Sequence, residues 1–228
     1  AAVPAGARVL TVHYEVYAWD LSVRSAHLDT THAFFNGSSV FLAVAGRTAA
    51  PCVVTIERPV GDAFRDWKLI TTLPAEHGRP GGPCHFGRFR AADYDELIDH
   101  PVEMGQFTRA RFTAAGVPHD IALTGRHDCD LERLCADLER ICAWQIALFG
   151  APAPVEHYAF LTMVVGEGYG GLEHRASTAL LCSRADLPWK GMEGLSDGYK
   201  SFLGLCSHEY FHTWNVKRIK PAAFTPYD

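Results

Sequence analysis

His208-Glu209-Tyr210-Phe211-His212 sets two histidines four residues apart with a glutamate beside the first. On a helix, residues i and i+4 project from one face, so both imidazoles can reach one metal ion while Glu209 stands at the ion's open position. This is the H-E-x-x-H zinc pattern. Zinc held by neutral imidazoles lowers the pKa of bound water to about 7, and a carboxylate at Glu209 can take the water's proton as it attacks a carbonyl. The implied chemistry is metal-assisted amide hydrolysis.

A complete zinc site needs a third protein ligand. After Glu209 the only carboxylate is Asp228, and no His or Cys follows His212. The longer H-E-x-x-H-x-x-G-x-x-H pattern is absent, because Lys217-Arg218-Ile219-Lys220 occupies that stretch. Upstream, His174 and Cys206 have no spacing that argues for ligation, so the third ligand is expected beyond Asp228.

The second signal is Gly168-Tyr169-Gly170-Gly171-Leu172-Glu173-His174-Arg175. A glycine-rich turn over 166–171 leading into a strand brings backbone N–H and C=O groups up to a ligand, and a carboxylate at its end can hold an ammonium group. Taken alone, a plain turn with a solvated Glu173 is the better explanation. Beside a zinc helix, the binding reading gains. Other polar groups have simpler readings. Asp93, Asp95, Glu96 and Asp99 suit a solvated acidic helical face without calcium-loop spacing, and Lys217, Arg218 and Lys220 suit the negative end of the last helix. His100, His127 and His157 carry no ligand spacing.

The elements that must hold these groups fall into two textures. Up to residue 124, short apolar runs at 40–44, 52–56 and 67–73 alternate with turn signals at Asn36-Gly37, Pro51, Pro59-Val60-Gly61 and Pro80-Gly81-Gly82-Pro83, which predicts strands separated by turns. A short helical turn follows Asp93 and ends near Pro101. From Asp128 the period becomes helical: Leu131, Leu134, Cys135, Leu138, Ile141, Cys142 and Ile146 mark one face, with Asp128 or Asp130 as cap and Gly150 and Pro152 as the stop. Strands are expected over 155–165 and 177–183, and a final helix over 196–216 capped by Ser196 or Asp197. The fold class is α+β, divided into a β-rich N-terminal domain over 1–124 and a part over 125–228 that carries the zinc motif.

Composition bounds the partners. The 228 residues are 48% apolar and 21% charged, an ordinary globular balance, and 21 basic against 26 acidic residues leave a net charge of -5. No basic field is present to track a phosphate backbone, so nucleic acid is not expected as a partner. No apolar run approaches the roughly 20 residues of a membrane span. The first residues lack the basic-then-apolar order of a secretory signal. Seven cysteines without a C-x-x-C pair suit reduced, buried thiols, which favours a cytoplasm-like compartment over a periplasmic one and leaves localisation otherwise open.

Gly170-Gly171-Leu172-Glu173-His174-Arg175-Ala176-Ser177-Thr178, followed by His208-Glu209-Tyr210-Phe211-His212-Thr213-Trp214-Asn215-Val216-Lys217-Arg218-Ile219, closely resembles the glycyl aminopeptidase family. The stretch 92–105 also resembles that family's junction segment. These are bacterial zinc peptidases of the gluzincin group, with a β-rich N-terminal domain, a thermolysin-like catalytic domain and a C-terminal PDZ module. The resemblance implies one zinc ion held by His208 and His212, with Glu209 activating water. It implies that Glu173 anchors the free amino terminus of a peptide substrate, while Gly170, Gly171 and Leu172 line the cleft through their backbone. It further implies a preference for N-terminal glycine and, less, alanine. In the family the third ligand is a glutamate on the following helix, and the PDZ module lies further downstream. The chain is therefore expected to be an internal fragment, lacking its first strands and the second part of the catalytic domain. The rival expectations are a catalytically incompetent fragment or scaffold module of the same fold, and a thermolysin-type endopeptidase.

Overall fold

The computed structural model describes residues 6, 8–76 and 84–224. The turn expected at 80–83 and the terminal Asp228 lie outside them. In chain order the elements are β1 (Ala26–Leu28), β2 (His32–Phe35), β3 (Cys52–Ile56), β4 (Lys68–Ile70), β5 (Gly87–Ala91), α1 (Tyr94–Ile98), β6 (Val102–Gly105), β7 (Thr108–Ala114), β8 (Val117–Thr124), α2 (Leu131–Phe149), β9 (Tyr158–Val165), β10 (Tyr169–Glu173), β11 (Ser177–Ser183) and α3 (Asp197–Phe211). The α+β class expected from the sequence is the class observed.

The first half contains a four-stranded sheet in the order β1-β2-β6-β4, antiparallel throughout, and a separate β3-β5 pair. Trp67, Leu69, Leu73, Phe89, Leu97 and Val102 fill the core they share. The apolar run at 40–44 is not a strand; Leu42 and Val44 are exposed, and only Phe41 of the three packs on that core. Short apolar runs give no periodicity with which to separate a strand from a loop that docks one side chain.

The second half is built on a five-stranded sheet in the order β10-β11-β9-β8-β7. Strands β8, β9 and β11 are parallel, so β8 must return through a crossover, and α2 supplies it. Ile121, Ala122, Leu123, Tyr158, Ala159, Phe160 and Leu161 are almost wholly buried, as central parallel strands covered on both faces require. The expected division at 124/125 does not match this arrangement. β7 and β8 pair with each other and β8 pairs with β9, so the change of sheet falls between Gly105 and Thr108. Strand character is the same on both sides of that change, which is why texture placed it later.

Helix α2 begins at Asp130, whose side chain accepts from Arg133 N at 3.2 Å, and ends at Gly150 with φ 94°. Its buried residues Leu134, Leu138, Cys142, Gln145 and Ile146 form one stripe against the sheet. Helix α3 begins at Ser196, whose side chain accepts from Tyr199 N at 3.1 Å. It stops at Phe211 instead of reaching 216, because 213–219 coil into turns held by Arg218 N and Ile219 N donating to Trp214 O. No disulfide joins any of the seven cysteines; Cys142, Cys182 and Cys206 are buried, and Cys135 is half-buried.

Candidate metallopeptidase site

The buried stripe of α3 runs Tyr199, Phe202, Leu205, Cys206, Glu209, Tyr210. Glu209 therefore occupies a core-facing step of the helix, while His208 and His212 flank it on the outer side. Three contacts hold the helix in this rotation. Tyr199 donates to Asp137 Oδ2 at 2.9 Å, Gln145 Nε2 donates to Ser207 O at 2.8 Å, and Tyr210 OH meets His119 Nε2 at 2.9 Å. Burial pushes the His119 pKa down to about 4, so the ring is neutral; its Nδ1–H donates to Val117 O at 2.9 Å and its Nε2 accepts from Tyr210. Tyr210 is thereby fixed in an aromatic cluster with Tyr158, Phe160 and Trp214.

His208 Nε2 and His212 Nε2 lie 3.2 Å apart. A tetrahedral ion with Zn–N bonds of 2.0–2.1 Å sets its nitrogens about 3.3 Å apart. His212 Nδ1 is 2.8 Å from Asn215 O and donates to it, leaving Nε2 as a bare lone pair on the His208 side. Two imidazoles on adjacent helical turns thus present facing nitrogens at the separation a shared cation needs. The donor set fits zinc, and so does the carboxylate beside it: Glu209 Oε2 is buried without a hydrogen-bond partner among the described residues. Burial, helped by the nearby Glu173 charge, pushes the Glu209 carboxyl up to about 7. An acid poised there exchanges a proton readily near neutrality.

The wall opposite α3 is β10. The sequence reads 166–171 as a turn, yet 169–173 form a strand, with Gly170 opposite Leu181 and Glu173 opposite Thr178 of β11. Glycine-rich composition argued for a turn; pairing with the strongly apolar β11 overrides it. β10 stands at the end of the sheet, so its other side offers backbone N–H and C=O groups to an extended chain. A Cβ at Gly171 would collide with the Glu209 carboxylate, and one at Gly170 would touch Val23 of the first half at 3.9 Å. Donor atoms of Glu173, Glu209 and His212 all lie within 4.8 Å of one another. The structure therefore gathers Gly170, Gly171, Leu172, Glu173, Glu209 and His212 in one place, with His208 beside His212.

Asp99 escaped the sequence reading. It is not on a solvated face: only 9% exposed, it receives Lys217 Nζ at 3.0 Å and the backbone N–H of Arg175 at 2.9 Å. Arg175 also pairs with Asp95. Asp99 thus ties the residue two places after Glu173 to the turn that follows His212. The three segments lie far apart in sequence, so no local pattern could have shown it. His174 points away from the site: its Nε2 lies 3.0 Å from Asn36 Oδ1, and Asn36 donates to Val23 O at 2.5 Å, which docks the end of β10 on the first half.

Residues 2–106 match the Peptidase M61 N-terminal domain, and residues 201–228 match the M61 glycyl aminopeptidase domain. The chain belongs to the M61 peptidase family. It is similar to an aminopeptidase N family protein from Idiomarina loihiensis, at 51% identity and a TM-score of 0.87, over 93% of this chain and 35% of that one. A likeness of fold extends to Legionella pneumophila aminopeptidase A, solved in complex with aspartic acid, at 15% identity and a TM-score of 0.52, over 84% of this chain and 23% of that one. The chain thus spans about a third or less of the length of these two relatives. No curated protein matches it. The M61 match to 201–228 includes the helix end on which His208, Glu209 and His212 sit.

Proposed function

We propose that this chain carries the metal-binding helix, the general base and the substrate strand of a zinc aminopeptidase. The observation that carries the reading is the 3.2 Å approach of His208 Nε2 to His212 Nε2, beside a Glu209 carboxylate whose Oε1 lies against Gly171 of the edge strand β10 and whose buried Oε2 has no hydrogen-bond partner among the described residues. His208 and His212 would hold the ion, with a third ligand from outside the described residues. Zinc bound there supplies a Lewis acid and an acidified water. Glu209 would accept a proton from water at its buried carboxylate and pass it toward the departing amine.

The backbone of Gly170, Gly171 and Leu172 would hold the substrate extended, as an added strand. Glu173 would hold its ammonium group. An α-amino nitrogen sits only about 2.5 Å from the first carbonyl carbon of the same residue. An amine anchor must therefore stand close to the base, and the 4.8 Å grouping of Glu173, Glu209 and His212 supplies that closeness. This favours the aminopeptidase reading over an endopeptidase. Val23 beside Gly170 and Glu209 beside Gly171 narrow the cleft, which supports a preference for glycine and alanine. The helices of the described residues include none long and apolar enough to cross a membrane, and a thermolysin-like domain plan with a PDZ module downstream is part of the same proposal.

The anchor is tested in the whole protein by Glu173→Ala. Turnover of free-amine dipeptide amides should fall by about a hundredfold or more, as expected for a lost charge-assisted contact, with little change on N-acetylated peptides. An equal loss on both substrates would remove Glu173 from that role.

A further inference from the structure

A second group of metal-binding side chains lies in the first half, on the β1–β2 hairpin. One donor atom each from His27, Asp29 and His32 falls within 4.8 Å of the others. His27 and His32 are 8% and 3% exposed, their rings stack at 5.0 Å, and Trp19 stacks on His27 at 5.2 Å.

The hydrogen bonds around these residues fix the directions of their donor atoms. Asp29 Oδ1 is saturated by Thr31 N, Thr31 Oγ1 and His32 N at 2.6, 2.7 and 3.0 Å, so the carboxylate is fixed in the hairpin turn with Oδ2 turned to His27 Nε2 at 3.3 Å. That spacing is already close to the N···O edge of a tetrahedral site, about 3.4 Å. His32 Nδ1 lies 3.2 Å from Glu103 Oε1, which also accepts from Thr124 Oγ1 at 3.0 Å. A carboxylate behind a histidine nitrogen is the usual way of orienting the opposite nitrogen toward a metal. His27 Nδ1 is buried with no hydrogen-bond partner among the described residues, and the ring is held by its stacking on Trp19 and His32 with Nε2 toward Asp29. His32 also borders a cleft of about 450 Å³ shared with Thr30, Thr31, Gln106 and Thr124, which gives an ion a way in.

We propose that His27, Asp29 and His32 form a metal site, separate from His208 and His212, that holds a zinc ion through three protein ligands with one position left open to water. Two imidazoles and one carboxylate suit a borderline transition metal over calcium or magnesium. With a dication bound, Asp29 and Glu103 balance its charge. Because Glu103 lies on β6 and Thr124 on β8, the ion would brace the seam between the two main sheets.

The test uses the whole protein with His208→Ala and His212→Ala, which removes the helix site. After dialysis against micromolar zinc, this variant should retain one zinc per chain, and adding zinc to its metal-free form should raise the Tm. Glu103→Gln in that background should weaken zinc binding by about 10- to 100-fold, the usual loss for an outer-shell partner, and His27→Gln should abolish it. Because His27→Gln could unfold the hairpin, a second readout needs no ligand change: cobalt(II) should quench Trp19 emission, a signal lost in Trp19→Phe. Absence of retained zinc in the His208→Ala, His212→Ala variant, or retention unaffected by Glu103→Gln with Trp19 emission unchanged by cobalt, would overturn the site.

Discussion

The backbone of Gly171 on β10 lies against the Glu209 carboxylate on α3 so closely that no Cβ fits between them. The candidate base and the candidate substrate strand are therefore one packed unit. Gly171→Ala must displace either the carboxylate or the strand. We expect a loss of about 1–3 kcal/mol in stability and, in the whole protein, a fall in kcat of about a hundredfold. Thermal unfolding and steady-state kinetics on a glycine amide substrate measure both; wild-type kcat would show that the contact does not position Glu209.

Asp99 joins Arg175 to Lys217, and so couples the strand carrying Glu173 to the turn behind His212. Its carboxyl is held below the ordinary range: burial raises it, but Lys217 and the Arg175 N–H outweigh burial. Asp99→Ala leaves Lys217 without this partner and should cost about 2–3 kcal/mol. The loss should exceed that of Asp95→Ala, whose carboxylate is largely exposed. Denaturant titration of the two variants makes the comparison.

Acid sensitivity should trace to Asp120. This β8 carboxylate, 1% exposed, accepts from Arg109 and Arg111 and lies 2.7 Å from His157 Nε2. Burial raises its pKa, yet His157 and the two guanidiniums prevail and hold it well below the ordinary range. A folded pKa below the unfolded value of about 3.9 means that the stabilisation is complete above that pH and drains away as pH falls through it. Asp120→Asn should cost about 3 kcal/mol at pH 7 and flatten the acid limb of the stability curve. An unchanged limb would assign acid sensitivity elsewhere.

Much of this was legible in the sequence because it is local. Leu134, Leu138 and Cys142 recur with helical period, so α2 could be read to within a few residues, and Ser196 announced α3 by its cap. The i, i+4 spacing of His208 and His212 carried the site. What the sequence could not show is long-range. Glu209 belongs to the same buried stripe as Leu205 and Cys206, but only the approach of Gly171 explains its lost solvation. The strand at Tyr169–Glu173 depends on pairing with β11, and the Asp99 link joins segments from both halves. His27 on β1, Asp29 in the turn and His32 on β2 meet across one hairpin, where no helical spacing flags them.

If His208 and His212 hold one zinc ion for hydrolysis, zinc-edge anomalous diffraction from crystals of the whole protein with Glu209→Gln should show a peak bonded to both Nε2 atoms, in a protein that no longer cleaves glycine amides. A crystal with no peak between these nitrogens, or undiminished hydrolysis by Glu209→Gln, would contradict it.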